Sequence, residues 1–158
     1  MKNLIIPTND VFYRVASWVN QYNACQASLS CKIRSGVRLC LDILIAHQIE
    51  VLHASYKTSK NKLNANIPGI YINRTKLSLL TGGSERPIDR YLEKLQRAGL
   101  IRKQCRDSPK EYIIWVHPWI LLGDAHSRPV IANSPQKPVQ KSACANETKS
   151  RLRNSYSL

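Results

Sequence analysis

Long apolar runs and acidic side chains are both scarce in this chain. No apolar run reaches the length that crosses a membrane, and residues 1–7 are too few for the hydrophobic region of a secretory signal. We therefore expect no membrane association and a location in the cytoplasm. The chain has 24 Lys and Arg residues but only 10 Asp and Glu, which gives a formal net charge of +14.

Paired cysteine and histidine motifs are also missing. The five cysteines show no CxxC spacing, and the four histidines show no zinc-binding pattern. An odd number of cysteines without a secretory signal favours free thiols in a reducing compartment. We expect neither a metal nor another cofactor. The cysteines are Cys25, Cys31, Cys40, Cys105 and Cys144.

Catalytic motifs are absent as well. The chain has no phosphate-binding glycine loop, no paired-histidine metal motif and no nucleophile elbow. Its acids Glu85, Asp89 and Glu93 recur every four residues among arginines, as on a solvated or DNA-facing helix. These patterns predict a binding protein rather than an enzyme.

Positive charge is concentrated in one segment. Residues 56–110 contain 13 of the 24 basic residues and only four acidic ones, a net charge of +9. Such a surface favours a polyanionic partner, with a merely solvated surface as the alternative.

Two helices separated by a glycine turn are predicted in this basic segment. In the first, Asn73 is placed to act as the N-cap. Leu77 and Leu80 share one face, with Ser78 as a small residue where two helices approach closely. The turn follows at residues 81–83.

The second helix is predicted over residues 84–98. Ser84 offers a side-chain oxygen as the N-cap, and Pro87 lies in the first turn, where its missing N–H costs nothing. Gly99 supplies the left-handed stop. The apolar face consists of Ile88, Tyr91, Leu92 and Leu95.

Two strands joined by a basic loop are predicted next. Residues 100–105 and 111–116 read as strands, and residues 106–110 between them contain the turn formers Asp, Ser and Pro. Arg106 and Lys110 place positive charge on this loop.

Two further helices are predicted nearer the N-terminus. The first is capped by Asn9 or Asp10 and ends at about Tyr22, and the second covers residues 37–55 and is apolar on most sides, as a buried helix is. The stripe of the first helix has two alternative partners: its own domain, or a second copy in a homodimer. The stripe is Val11, Val15, Trp18, Val19 and Tyr22, and the core face of the second helix is Val37, Leu41, Leu44, Ile45, Val51 and Leu52.

These elements predict an α+β fold, a winged helix-turn-helix with a three-helix core and a small antiparallel β-sheet. This domain occupies residues 35–123 and includes a short strand at residues 70–72. Residues 1–34 form an N-terminal helical extension. Residues 124–158 contain few large apolar side chains and predict a basic disordered tail, so truncation after Asp124 should leave the melting temperature nearly unchanged.

Two resemblances add to this interpretation. Residues 72–101 resemble the helix-turn-helix of winged-helix proteins, including MarR-like regulators, in the run IDRYLEKL followed by AGLI. Residues 112–124 are similar to the strand and the Asn-Pro-aromatic-Gly ending of RepL-type plasmid replication proteins, with His117 in place of Asn. The resemblances imply a sequence-specific double-stranded DNA-binding protein that acts in replication initiation or origin binding for a plasmid, phage or other mobile element. The alternatives are a winged-helix transcription regulator and a protein-interaction module.

The predicted DNA contacts divide between reading bases and holding the backbone. Arg86 is suited to guanine, Asp89 to the cytosine amine and Pro87 to the thymine methyl group. The basic side chains of the second helix and the loop are suited to phosphates. The predicted DNA-binding residues are Arg74, Lys76, Ser84, Glu85, Arg86, Pro87, Asp89, Arg90, Lys94, Arg106 and Lys110.

Overall fold

A computed structural model describes residues 6–58, 67–123, 126 and 128–131 of the chain. The described residues form an α+β structure with five helices and three strands. In chain order the elements are α1 (Thr8–Cys25), α2 (Ser35–Thr58), β1 (Ile70–Asn73), α3 (Arg74–Thr81), α4 (Ile88–Arg97), β2 (Ile101–Cys105), β3 (Glu111–Val116) and α5 (Pro118–Leu122).

The three strands form one antiparallel sheet in the order β1-β3-β2. Ile70 pairs with Ile114, and Ile101 pairs with Val116, so β3 is the central strand. Burial alternates along β3, which leaves one face of the sheet against the helices and the other facing outward. The predicted strands, including the short one at residues 70–72, are confirmed.

Helix α2 contacts α3, α4, β1 and β3, and its buried side chains account for much of the core. One buried residue of α2 is polar: Gln48 donates to the Pro68 carbonyl at 2.7 Å and accepts from the Val116 amide at 3.3 Å. Both ends of its amide are therefore satisfied, as burial requires. The predicted core face is confirmed except for Val51, which is only half-buried. Among the described residues no helix, α2 included, is long and apolar enough to cross a membrane.

The apolar stripe of α1 is buried within its own chain. Val11 and Val15 are fully buried, and Trp18 is 1% exposed. Four of the five stripe residues therefore pack within their own domain, the first of the two alternatives, and Tyr22 is half-buried. The predicted cap is wrong: α1 begins earlier, with Pro7 at the N-cap and no side-chain cap.

Helix α3 begins as predicted but exposes one predicted core residue. The Asn73 side chain accepts from the Lys76 amide at 2.7 Å, which confirms the N-cap. Leu77 and Ser78 are buried, whereas Leu80 is 44% exposed. The helix has only two turns, and Leu80 lies at the rim of the face that Leu77 buries, so its assignment to the core is wrong.

The predicted start of the second helix of the pair is also wrong. Helix α4 begins at Ile88, with Pro87 at the N-cap and no side-chain cap, so Ser84 does not cap it. The Ile88 amide instead donates to the Glu85 carbonyl at 3.2 Å, which closes a single turn before the helix. Ser84 lies four residues before Ile88, too early to cap the first free amides of α4.

Both helices of this pair end at a glycine with a positive φ. Gly82 has φ +68° and Gly99 has φ +75°. After α3, the Gly83 amide donates to the Ser78 carbonyl. After α4, the Leu100 amide donates to the Leu95 carbonyl. These are Schellman closures, and they confirm the predicted stops.

Residues 128–131 of the predicted disordered tail contact the core. Trp18 Nε1 donates to the Pro129 carbonyl at 3.2 Å, Arg128 lies over the Trp119 ring and Ile131 packs against the buried cluster. The prediction of a structureless tail is therefore wrong for residues 128–131, whose isolated apolar side chains give no periodic signal. The other tail residues lie outside the described part of the chain, apart from His126.

We predict that truncation after Asp124 destabilises the protein. A chain ending at Asp124 should lose about 1–3 kcal/mol relative to one ending at Asn133, because it lacks the Trp18 hydrogen bond and the partial burial of Ile131. Urea unfolding of the two chains measures this difference. Coincident unfolding midpoints would show that residues 128–131 contribute nothing to stability.

Candidate nucleic-acid interface

The start of α3 is attached to the loop between β2 and β3 and to the turn before α4. The Arg74 amide donates to the Lys110 carbonyl at 2.8 Å, and the Thr75 hydroxyl donates to the Glu85 carboxylate at 2.6 Å. These bonds fix the positions of the two helices and the loop relative to one another.

A three-residue network crosses the same junction. Arg74 forms an ion pair with Asp89 in the first turn of α4, and the Tyr112 hydroxyl on β3 donates to the same carboxylate. Arg74 Nε also lies 3.4 Å from the Tyr112 oxygen. Each side chain therefore contacts the other two, and the network joins α3, α4 and β3.

The Tyr112 hydroxyl is held in its neutral form. Burial and, to a smaller extent, the hydrogen bond to Asp89 together raise the pKa of Tyr112 to about 12, against the opposing effect of Arg74. The hydrogen bond with Tyr112 is also the main cause that raises the pKa of Arg74. Asp89 thus receives a proton donor and a cation at once, a favourable arrangement for a half-buried carboxylate.

Five of the predicted DNA-binding residues are exposed cations around this junction. None of them forms an ion pair with another described residue, so their charges are not compensated. Lys110 is brought next to the start of α3 by the Arg74 backbone bond, while Arg86 and Arg90 flank Asp89 in sequence. The five are Lys76, Arg86, Arg90, Arg106 and Lys110.

Most of the other predicted site residues form ion pairs, hydrogen bonds or a helix cap within the chain. Arg74 and Asp89 belong to the network, and Glu85 accepts from Thr75. Lys94 donates to the Lys32 carbonyl at 3.4 Å. Ser84 is exposed and Pro87 is the N-cap of α4.

Two of the three acidic side chains near α4 form ion pairs, and the third is hydrogen-bonded. Asp89 is paired with Arg74, and Glu93 lies 3.8 Å from Arg97 on the exposed side of the helix. Glu85 is half-buried and hydrogen-bonded. On this surface the five exposed cations without an ion pair therefore outnumber the exposed acids without one, Asp107 and Glu111.

Sequence reasoning missed the outward face of the sheet. Tyr71 on β1 is 67% exposed, and Trp115 on β3 points to the same side, because partners in the β1–β3 register alternate between faces. Arg102 lies over Trp115 at 4.2 Å from the ring centroid, and Arg106 lies over Tyr71 at 5.4 Å. We call these four side chains the outer sheet face. The alternation of β1 and β3 was the available signal.

The described residues contain no group of three or more His, Cys, Asp or Glu side chains that could hold a metal ion. No family model, curated protein or solved structure matches this chain.

We predict that Tyr112→Phe lowers stability at neutral pH and that this difference shrinks in alkali. At neutral pH the variant loses a hydrogen bond to a carboxylate, which costs about 1–3 kcal/mol. In the folded wild type the pKa of Tyr112 lies above its ordinary value of 10.0. The contribution of Tyr112 to the free energy of unfolding is therefore complete below pH 10 and is lost as the pH rises towards about 12.

Urea unfolding of both proteins across this pH range measures the effect. Other alkaline groups are common to both chains, so the difference between the curves isolates Tyr112. Tyr71→Phe, which removes an exposed hydroxyl, serves as the control and should match the wild type. Parallel curves for wild type and Tyr112→Phe would contradict the raised pKa.

Proposed function

We propose that this chain is a winged helix-turn-helix protein that binds double-stranded DNA in a sequence-specific manner. In this proposal α4 is the recognition helix and residues 106–110 are the wing. The observation that carries it is the set of five uncompensated cations on α3, on α4 with the turn before it, and on the loop, held around the network of Arg74, Asp89 and Tyr112.

The order and dimensions of the elements support a groove-binding helix. The sequence α2, β1, α3, α4, β2, β3 is that of a helix-turn-helix followed by a two-stranded wing. Helix α4 has ten residues, about 15 Å of helix, and its charged side faces away from the core. The diameter of an α-helix with its side chains, about 10–12 Å, matches the width of the major groove, which is about 12 Å.

The contacts within the chain change the roles first assigned to the site residues. Asp89 is occupied by Arg74 and Tyr112, so we assign it to positioning α4 rather than to reading cytosine. Arg86 lies in the turn just before α4, next to the N-terminal end at which a helix of this kind comes closest to the base edges. Lys76, Arg90 and Lys110 are suited to phosphates.

The biological role we propose is origin binding in the replication of a plasmid, phage or other mobile element. Support comes from the segment that resembles replication proteins: His117 caps α5 by accepting from the Trp119 amide at 3.2 Å, Pro118 is its first residue and Gly123 ends it with φ +73°. Binding-site selection separates this role from transcription regulation. Tandem repeats favour replication, whereas a promoter palindrome favours a dimeric regulator.

We predict that duplex binding weakens steeply with salt. If all five exposed cations meet phosphates, the slope of log affinity against log salt should be roughly −4 to −5. Lys110→Ala should reduce its magnitude by about one at every sequence. Fluorescence anisotropy with a labelled duplex measures both slopes.

Arg128→Ala is the matched control for charge. Arg128 lies over Trp119 in α5, and β3 separates α5 from the loop by about 20 Å of strand. Its removal should leave the slope unchanged. A flat salt dependence in the wild type, or equal effects of Lys110→Ala and Arg128→Ala, would contradict the proposed surface.

We further predict that Arg86→Ala relaxes sequence preference at about one base pair and costs roughly 1–3 kcal/mol on the selected site. Lys110→Ala should weaken all sequences about equally, because a wing that follows the backbone carries little base information. Binding-site selection with both variants measures the two effects. If Lys110→Ala lost discrimination and Arg86→Ala kept it, the loop would be the reading element.

A further inference from the structure

The outer sheet face lies on the side of the sheet opposite the helices and has no part in the proposed duplex site apart from Arg106. We propose that this face is a second nucleic-acid site, which binds an unpaired DNA strand by stacking bases on its aromatic rings and guanidinium groups.

Two aromatic rings are presented side by side on this face. Tyr71 pairs with Ile113 in the sheet register, so Trp115 is its diagonal neighbour on β3, at a separation of about 7 Å. The indole lies against the backbone of Gly69, where an added Cβ would be 2.8 Å from Cε2 of Trp115. Tyr71, by contrast, is 67% exposed and keeps its ring accessible.

Each ring is accompanied by an arginine. Arg102 lies over Trp115 and Arg106 lies over Tyr71, and both arginines are exposed. A guanidinium is planar and charged, so it stacks on a base and attracts the neighbouring phosphate. Glu111, at the loop end of β3, is the acidic side chain of this face. The face therefore combines stacking surface with a charge complementary to a polynucleotide.

An unpaired strand fits this face better than a duplex does. The faces of duplex bases are covered by their neighbours, whereas a single strand can offer them to aromatic side chains. The choice of DNA over RNA rests on the proposed function, because a protein bound at an opening duplex meets an unpaired strand of that same DNA.

Tryptophan fluorescence gives a direct readout of the site. Of the three tryptophans in the chain, Trp18 and Trp119 are 1% and 5% exposed, whereas Trp115 is only half-buried. Titration of the full chain with an oligothymidylate should therefore quench the emission of Trp115. Tyr71→Ala should weaken this binding by roughly 5- to 150-fold, the range expected for loss of one stacked base.

Matched variants separate this site from the duplex site. Tyr13→Ala removes another exposed tyrosine, 79% accessible on α1, and should leave the titration unchanged. Arg102→Gln should weaken oligothymidylate binding and spare the duplex, while Arg90→Gln should weaken the duplex and largely spare the oligothymidylate. A wild type that binds the oligothymidylate but not the duplex would contradict the proposed function and still support the second site.

Three results would overturn the second site. The first is absence of quenching by oligothymidylate at low salt. The second is full affinity in both Tyr71→Ala and Arg102→Gln, with thermal unfolding showing that each variant is folded. The third is tighter binding of oligouridylate than of oligothymidylate, which would assign the face to RNA.

Discussion

The contact among Arg74, Asp89 and Tyr112 is the interaction on which the arrangement of the basic surface depends. Its three members come from α3, α4 and β3. A carboxylate that is only half-exposed requires partners, and here it has a guanidinium and a hydroxyl. The angle between the two helices and their height above the sheet are thereby restricted.

The same contact decides which charges reach the surface. Arg74 and Asp89 cancel one another, and the remaining acids near α4 are held by Thr75 or Arg97. The arginines beside them in sequence have no such partner among the described residues. Residues 74–110 contain both acidic and basic side chains, yet their outward surface is mainly cationic. The composition of the sequence suggests this, and the ion pairs explain it.

Local signals in the sequence were sufficient for much of the fold. The Asn73 cap and the glycine stops after both helices depend on a few adjacent residues, and each is found where it was predicted. The apolar spacing of Ile88, Leu92 and Leu95 likewise identifies the buried side of α4, because period and burial are coupled along one helix.

What sequence reasoning missed depends on contacts between distant residues. No local pattern shows that Asp89 will meet Arg74 and Tyr112, or that Gln48 will bridge Pro68 and Val116. The start of α4 was missed for a different reason. Ser84 and Pro87 are both common near helix starts, and only the hydrogen bond made by the following turn decides between them.

The attachment of α1 to α5 has a consequence for how the chain is made. Arg14 donates to the carbonyls of Trp119 and Ile120, more than 100 residues later, and Gly123 lies against its guanidinium, where a Cβ would be 2.8 Å away. Helix α1 is therefore synthesised well before these partners. The side of α1 that packs against α5 therefore stays uncovered until α5 has been made, and during that period the nascent chain is open to chaperones and to aggregation.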